Sequence, residues 1–156
     1  MIRRLLALAA LGLSATTLPA QEPADPGPRG IAAAEKRTVP LTIGTRRGAA
    51  RFQVEVARTP EAQQLGLMYR RHMGARHGMI FPKPRAEPTS FWMKNTYIPL
   101  DLLFIRADGR VSSVAANATP LSTATIDSVE PVTTVLELNG GTAARLGIRP
   151  GDKVSW

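Results

Sequence analysis

The segment Leu100-Asp101-Leu102-Leu103-Phe104-Ile105 is written like a strand buried in a core, yet it carries a carboxylate at its second position. An ionised carboxylate is too costly to bury alone, so any fold of this chain must supply Asp101 with a cation or with several hydrogen-bond donors. The residues just before it, Phe91-Trp92-Met93-Lys94-Asn95-Thr96-Tyr97-Ile98-Pro99, add large apolar side chains and two more polar groups. Read as a strand over 90–95, the stretch puts Trp92, Lys94 and Thr96 on one face and Phe91, Met93 and Asn95 on the other. A turn around Ile98-Pro99 then leads into the buried strand, and either Lys94 or Asn95 is expected to meet Asp101.

The rest of the chain is mostly written in short strands. Arg51 to Val56 alternates polar and apolar, which predicts a half-buried strand with Phe52, Val54 and Val56 inward, hairpin-paired to a strand over 39–43. Thr59-Pro60-Glu61 supplies an N-cap, a first helical residue and a first-turn acid, so a helix is expected to about Arg71 with Ala62, Leu65 and Met68 or Tyr69 on its apolar stripe. Residues 78–81 form a further short strand. Asp108-Gly109 is a hairpin signal, with Asp101, Leu103 and Ile105 expected opposite Ala116, Val114 and Ser112. Residues 119–131 read as loop and 132–138 as strand. Thr142 opens a helical turn that Gly147-Ile148 ends, and Pro150-Gly151 turns the chain into a last strand. This pattern predicts a mainly β (α+β) chain, a compact single-domain β-barrel or β-sandwich with one helix and a short helical turn.

At 156 residues there is room for one core domain. Met1-Ile2-Arg3-Arg4, the apolar run from Leu5 to Leu13 and the small residue ending Leu18-Pro19-Ala20 have the form of an export signal, interrupted by Ser14, Thr16 and Thr17 too early for a membrane span. The expected organisation is therefore a signal peptide over 1–20, a Pro/Gly/Ala-rich linker over 21–37 and one domain over 38–156, exported to the periplasm or secreted. There is no cysteine, which excludes disulfides, thiol nucleophiles and cysteine-bound zinc. The net charge is +8, and it is unevenly spread: residues 36–94 carry twelve Lys/Arg against three acids, residues 95–156 five against six. The basic half would attract an anionic envelope component, whereas no nucleic-acid motif is present.

Five motifs recur in order: Gly66-Leu67-Met68-x-Arg70, Gly78-Met79-Ile80-Phe81, Phe91-Trp92-Met93-Lys94-Asn95-Thr96, Ile98-Pro99-Leu100-Asp101 with Phe104, and Gly147-Ile148-x-Pro150-Gly151-Asp152. In this order and spacing they closely resemble the small bacterial and archaeal family catalogued as domain of unknown function 192, over about residues 40–156. The resemblance implies a compact, mostly β domain, often behind an export signal, with no established activity to carry over.

For chemistry, Trp92, Lys94, Asn95, Asp101 and Arg70 are the candidate binding group: an aromatic platform with orienting polar groups, suited to a sugar or another small polar ligand. The opposing reading is a buried ion pair between Lys94 and Asp101, with Asn95 pinning the turn. A hydrolase or lyase using Asp101 in a polar pocket, with either Asp101 or Glu137 as acid or base beside His72, is the catalytic alternative, although no catalytic elbow, zinc-protease helix, phosphate loop or metal-grade acid cluster is present. Met68, His72, Met73, His77, Met79, Trp92 and Met93 offer soft ligands for Cu(I), against the more ordinary role of methionine as core filler. The reading is a non-catalytic binding domain for a small polar ligand or envelope polymer, needing no cofactor, metal or nucleic acid.

Overall fold

The alternation of Arg51 to Val56 is realised directly. In a computed structural model, which describes residues 37–156, β2 (Gly48–Val56) buries Ala50, Phe52, Val54 and Val56 along one face. The leader expected at residues 1–20 and the linker expected over 21–37, save Arg37, lie outside the described residues. β1 (Thr38–Thr45) pairs antiparallel with β2 through Arg46-Arg47, and Gly48 takes the positive φ of 110° that this tight reversal needs.

Helix α1 (Pro60–Leu65) begins as its sequence reads: the Thr59 hydroxyl accepts from the Ala62 N–H at 3.2 Å, and Pro60 opens the helix. It stops well short of Arg71. Gly66, at φ 50°, closes it with its N–H on the Ala62 carbonyl, and Tyr69 bends the chain again at φ 63°. On a continued helix Leu67 would stand about 140° round from Ala62. The unwound backbone lets both enter the core, at 2% and 3% exposure.

β3 (His77–Glu87) returns parallel to β2 and antiparallel to β8 (Val132–Asn139). It outruns the expected 78–81 because Pro82 and Pro84 fall where the register with β8 shifts, and proline is tolerated at such bulges. Between them β4 (Ser90–Phe91) pairs with β7 (Ile126–Asp127), so the segment read as loop over 119–131 holds a short strand. β5 (Leu100–Ile105) and β6 (Val111–Ala118) flank the Asp108-Gly109 turn, where Asp108 Oδ1 accepts from the Arg110 N–H at 2.9 Å. Leu103 faces Val114 as the spacing requires, but shifts near both ends put Ile105 opposite Val111 and Leu100 opposite Ala118. Helix α2 (Thr142–Leu146) and β9 (Lys153–Ser155) complete the chain, and Gly147 (φ 69°) ends α2 with Ile148 N–H on the Ala143 carbonyl.

Seven strands form one sheet in the order β6-β5-β8-β3-β2-β1-β9, curled into a half-barrel whose outer strands approach through a bridge between Arg110 and Lys153. The fold is thus barrel-like rather than a sandwich of two packed sheets. The concave face holds one core cluster, including Ile43, Phe52, Val54, Leu103 and Leu136. The opposite face of β3, β8 and β5 holds a second, in which Met79, Phe81, Leu102 and Phe104 are covered by Ala62, Leu67, Met73 and Met93. These central strands are therefore buried on both faces, and every residue of β5 is buried. Among the described residues no helix is long and apolar enough to cross a membrane.

The strand expected over 90–95 ends at Phe91. From there the chain turns: Thr96 N–H bonds the Met93 carbonyl at 3.0 Å and Asn95 adopts φ 55°. Met93 is wholly buried while Trp92 on one side and Lys94 on the other are exposed. Asparagine tolerates this left-handed backbone better than most residues, because its short polar side chain can bond locally.

Candidate functional site

Where α1 gives way to the Gly66-Leu67-Met68 loop, the second core is open to solvent. A cleft of about 300 Å³ enters there, bordered by Gln63 and Gln64, by Phe91 and Trp92, and by Lys83 on β3, with Glu137 of β8 in its lining. The elements that shape it follow from the fold. Gln63 is anchored by its amide N–H groups on the Ala57 and Pro82 carbonyls, at 3.1 and 2.9 Å. Phe91 packs edge-on against Phe81, 5.1 Å between ring centres.

Glu137 is the unusual group. It sits between Leu102 of β5 and Met79 of β3, is 4% exposed, and its Oε2 is buried without a hydrogen-bond partner among the described residues. Burial pushes its pKa up to about 8, against the opposing pull of the Arg70 charge, so the protonated form predominates at pH 7. Arg70 is itself committed. Its two terminal nitrogens donate to the two oxygens of Glu55 at 2.5 and 2.6 Å, and this hydrogen bonding holds its pKa above the ordinary value. Lys83, also on the lining, bonds Glu87 at 3.0 Å, and Ser90 donates to Asp127 at 2.6 Å. The charged groups around the cleft thus have partners, and Glu137 does not.

The five residues singled out from sequence do not form one site. Asp101 is fully buried, but neither Lys94 nor Asn95 meets it, and the expected ion pair is absent. Its donors are backbone N–H groups instead: Oδ1 accepts from Asn117 at 2.8 Å and Gly141 at 3.0 Å, and Oδ2 from Ala143 at 2.7 Å. Asp101 therefore caps α2 from β5 and ties it to β6, and Thr142 is the first residue of the helix, as expected from sequence. Lys94 lies exposed over Trp92, its Nζ 5.1 Å from the ring centre. Asn95 donates its side-chain amide to the Tyr69 hydroxyl at 2.9 Å, while its carbonyl accepts the Tyr69 N–H at 2.7 Å, which locks the two left-handed residues together. Of the five, only Trp92 lines the cleft.

Of the thioether and imidazole groups, Met73, Met79 and Met93 pack in the second core, Met68 is half-buried, and His72 and His77 are exposed. No group of three or more His, Cys, Asp or Glu side chains able to hold a metal occurs among the described residues. Glu137 does have a signal in sequence: it is the one acid in the otherwise apolar Val135-Leu136-Glu137-Leu138, the same kind of intrusion that marks Asp101.

Solved structures resemble this fold. A protein of unknown function from Novosphingobium aromaticivorans superposes with a TM-score of 0.75 at 47% identity, covering 76% of this chain and 85% of the other. A protein from Sinorhizobium meliloti, provisionally described as a transcription regulator, gives 0.73 at 47% identity, with 76% and 92% coverage. No curated protein matches the chain. The family model DUF192, described as "Uncharacterized ACR", matches residues 42–156.

Proposed function

Because the chain belongs to the DUF192 family over residues 42–156, we propose a role consistent with the site rather than with any borrowed activity: a non-catalytic binding domain for a small, neutral polar ligand. The observation that carries this reading is the buried carboxyl of Glu137, left without a partner in the lining of a solvent-open cleft. An unpaired polar group in a core costs about 1–3 kcal/mol. In a cleft, a ligand that hydrogen-bonds to it offsets that cost. Perturbed ionisable groups in clefts are on this ground the first candidates for function.

The surroundings define the ligand class. Gln63, Gln64, Ser90 and Thr96 bring amides and hydroxyls, and Phe91 and Trp92 bring aromatic surface. Of the charged side chains that line the cleft, Lys83 is tied to Glu87 and Glu137 is mainly protonated at pH 7, so a charged ligand would find no unpaired counter-charge within the lining. A sugar or an amide-bearing small molecule fits this set. The leader-like residues 1–20 support export as the setting, which N-terminal sequencing of the protein from the periplasm or medium would test.

The binding test is a thermal-shift screen against neutral sugars, N-acetylated sugars, small amides and polyanions, since a ligand that prefers the native state raises its melting temperature. A shift from a neutral ligand that Glu137→Leu and Trp92→Ala both remove, and that Glu137→Gln retains, supports the reading. A response confined to polyanions, and erased by salt, would move the function to the basic surface. A proton-transfer enzyme is the second reading, favoured by a carboxyl whose pKa lies near neutrality. It moves the catalytic group from Asp101, whose oxygens are held by three N–H groups, to Glu137. Turnover of a bound ligand that Glu137→Gln abolishes without loss of affinity would select it.

A further inference from the structure

Leu121 is 57% exposed and its backbone sits at φ 63°. Neither fact suits leucine. A left-handed position favours glycine or asparagine, and an exposed one has no need of an aliphatic side chain. A residue that violates both preferences points to something outside the fold.

Its setting shows what that is. The Leu121 N–H bonds the Thr96 carbonyl at 3.1 Å, and the Met93 N–H bonds the Ser122 carbonyl at 3.0 Å. The loop carrying Leu121 is thereby fastened to the turn carrying Trp92 and Tyr97, which are 46% and 37% exposed. A cation attends each aromatic ring: Lys94 Nζ at 5.1 Å from Trp92 and the Arg71 guanidinium at 5.4 Å from Tyr97. Residues 91–98 and 117–126, the two loops of this rim, contain no Asp or Glu.

We propose that this rim is a docking surface for an anionic lipid bilayer, with Leu121, Trp92 and Tyr97 entering the interfacial layer and Lys94 and Arg71 meeting the headgroup phosphates. Tryptophan and tyrosine favour that layer because one end of each is apolar and the other can stay wet. Basic side chains beside them add attraction to anionic lipid. An anionic polysaccharide is the weaker fit, because it offers no hydrocarbon for the exposed Leu121 side chain. A second copy of the rim would bring like charges together. The rim shares Trp92 with the Glu137 cleft, so docking is tested at Leu121 and Lys94, neither of which lines the cleft.

The test is co-sedimentation of the purified protein with vesicles of phosphatidylglycerol and phosphatidylethanolamine, compared with phosphatidylcholine alone, at low and high salt. Binding to the anionic vesicles is expected, weakened by salt. Leu121→Asn removes the aliphatic tip yet suits the left-handed backbone, so it should reduce binding roughly fivefold without lowering the melting temperature. Lys94→Gln should reduce both binding and its salt dependence. No binding by the wild type, or equal binding by Leu121→Asn, overturns the proposal. Self-association that Leu121→Asn abolishes, with no vesicle binding, overturns it in favour of a second copy.

Discussion

Replacing Glu137 with glutamine keeps the shape of the side chain and removes its ability to ionise. The native pKa of about 8 stands against an ordinary value of 4.5, so the folded protein holds a proton that the unfolded chain releases from mild acid upward. Because the folded pKa is the raised one, the stability associated with this proton is full below pH 4.5, falls as the pH rises and is exhausted above about 8. A tenfold difference in proton affinity between the folded and unfolded chains is worth about 1.4 kcal/mol, which gives a loss of about 4 kcal/mol between pH 5 and pH 9. Glutamine has no such dependence. Urea unfolding of wild type and Glu137→Gln at pH 5, 7 and 9 should show the variant gaining about 4 kcal/mol relative to wild type across that range. All other titrating groups are common to both proteins and cancel to first order. A difference in stability that stays constant with pH would refute the reasoning, because it would mean Glu137 titrates alike in the folded and unfolded states.

Removing the Arg70 charge, as Arg70→Met, takes away the influence that holds the Glu137 pKa down, so the carboxyl resonance of Glu137 should titrate at higher pH by NMR. Asp101→Ala leaves the buried N–H of Ala143 and the partly buried N–H groups of Asn117 and Gly141 without their acceptor and should cost about 3 kcal/mol in chemical denaturation, with α2 and the end of β6 losing hydrogen-exchange protection first. Thr59→Ala deletes the cap of α1 and should lower stability by about 1 kcal/mol, read as a shift in the urea midpoint at unchanged slope. The protein is also expected to keep its melting temperature in chelator, since Met73, Met79 and Met93 are packed in the core as apolar groups.

What the sequence determined by itself is local. Alternation from Arg51 to Val56 fixed an inward face, Thr59-Pro60 fixed where α1 starts, Asp108-Gly109 fixed a hairpin, and Gly147-Ile148 fixed the end of α2. Each of these depends on residues within a few positions of one another, so the physics is contained in the stretch that displays it. The five motifs were likewise sufficient to place the chain in its family. Sequence also showed that Asp101 must be satisfied, because the cost of burying a carboxylate does not depend on topology.

Who satisfies it did depend on topology. The donors to Asp101 lie 16, 40 and 42 residues away, and they are backbone groups, which leave no mark in side-chain pattern. The strand read through Trp92 to Asn95 failed for a related reason. Alternation assumes a ladder, and only the packed structure decided that Met93 would be buried alone in a turn while Trp92 and Lys94 faced solvent. Tertiary structure likewise separated two carboxylates that look alike in sequence, each an acid in an apolar strand. β5 delivers Asp101 to the open N–H groups at the start of α2, whereas β8 delivers Glu137 to an apolar layer beside a cleft, where none of the described residues bonds its inner oxygen. Burial is written in the strand. The partner is chosen by which distant segment the curl of the sheet brings against it.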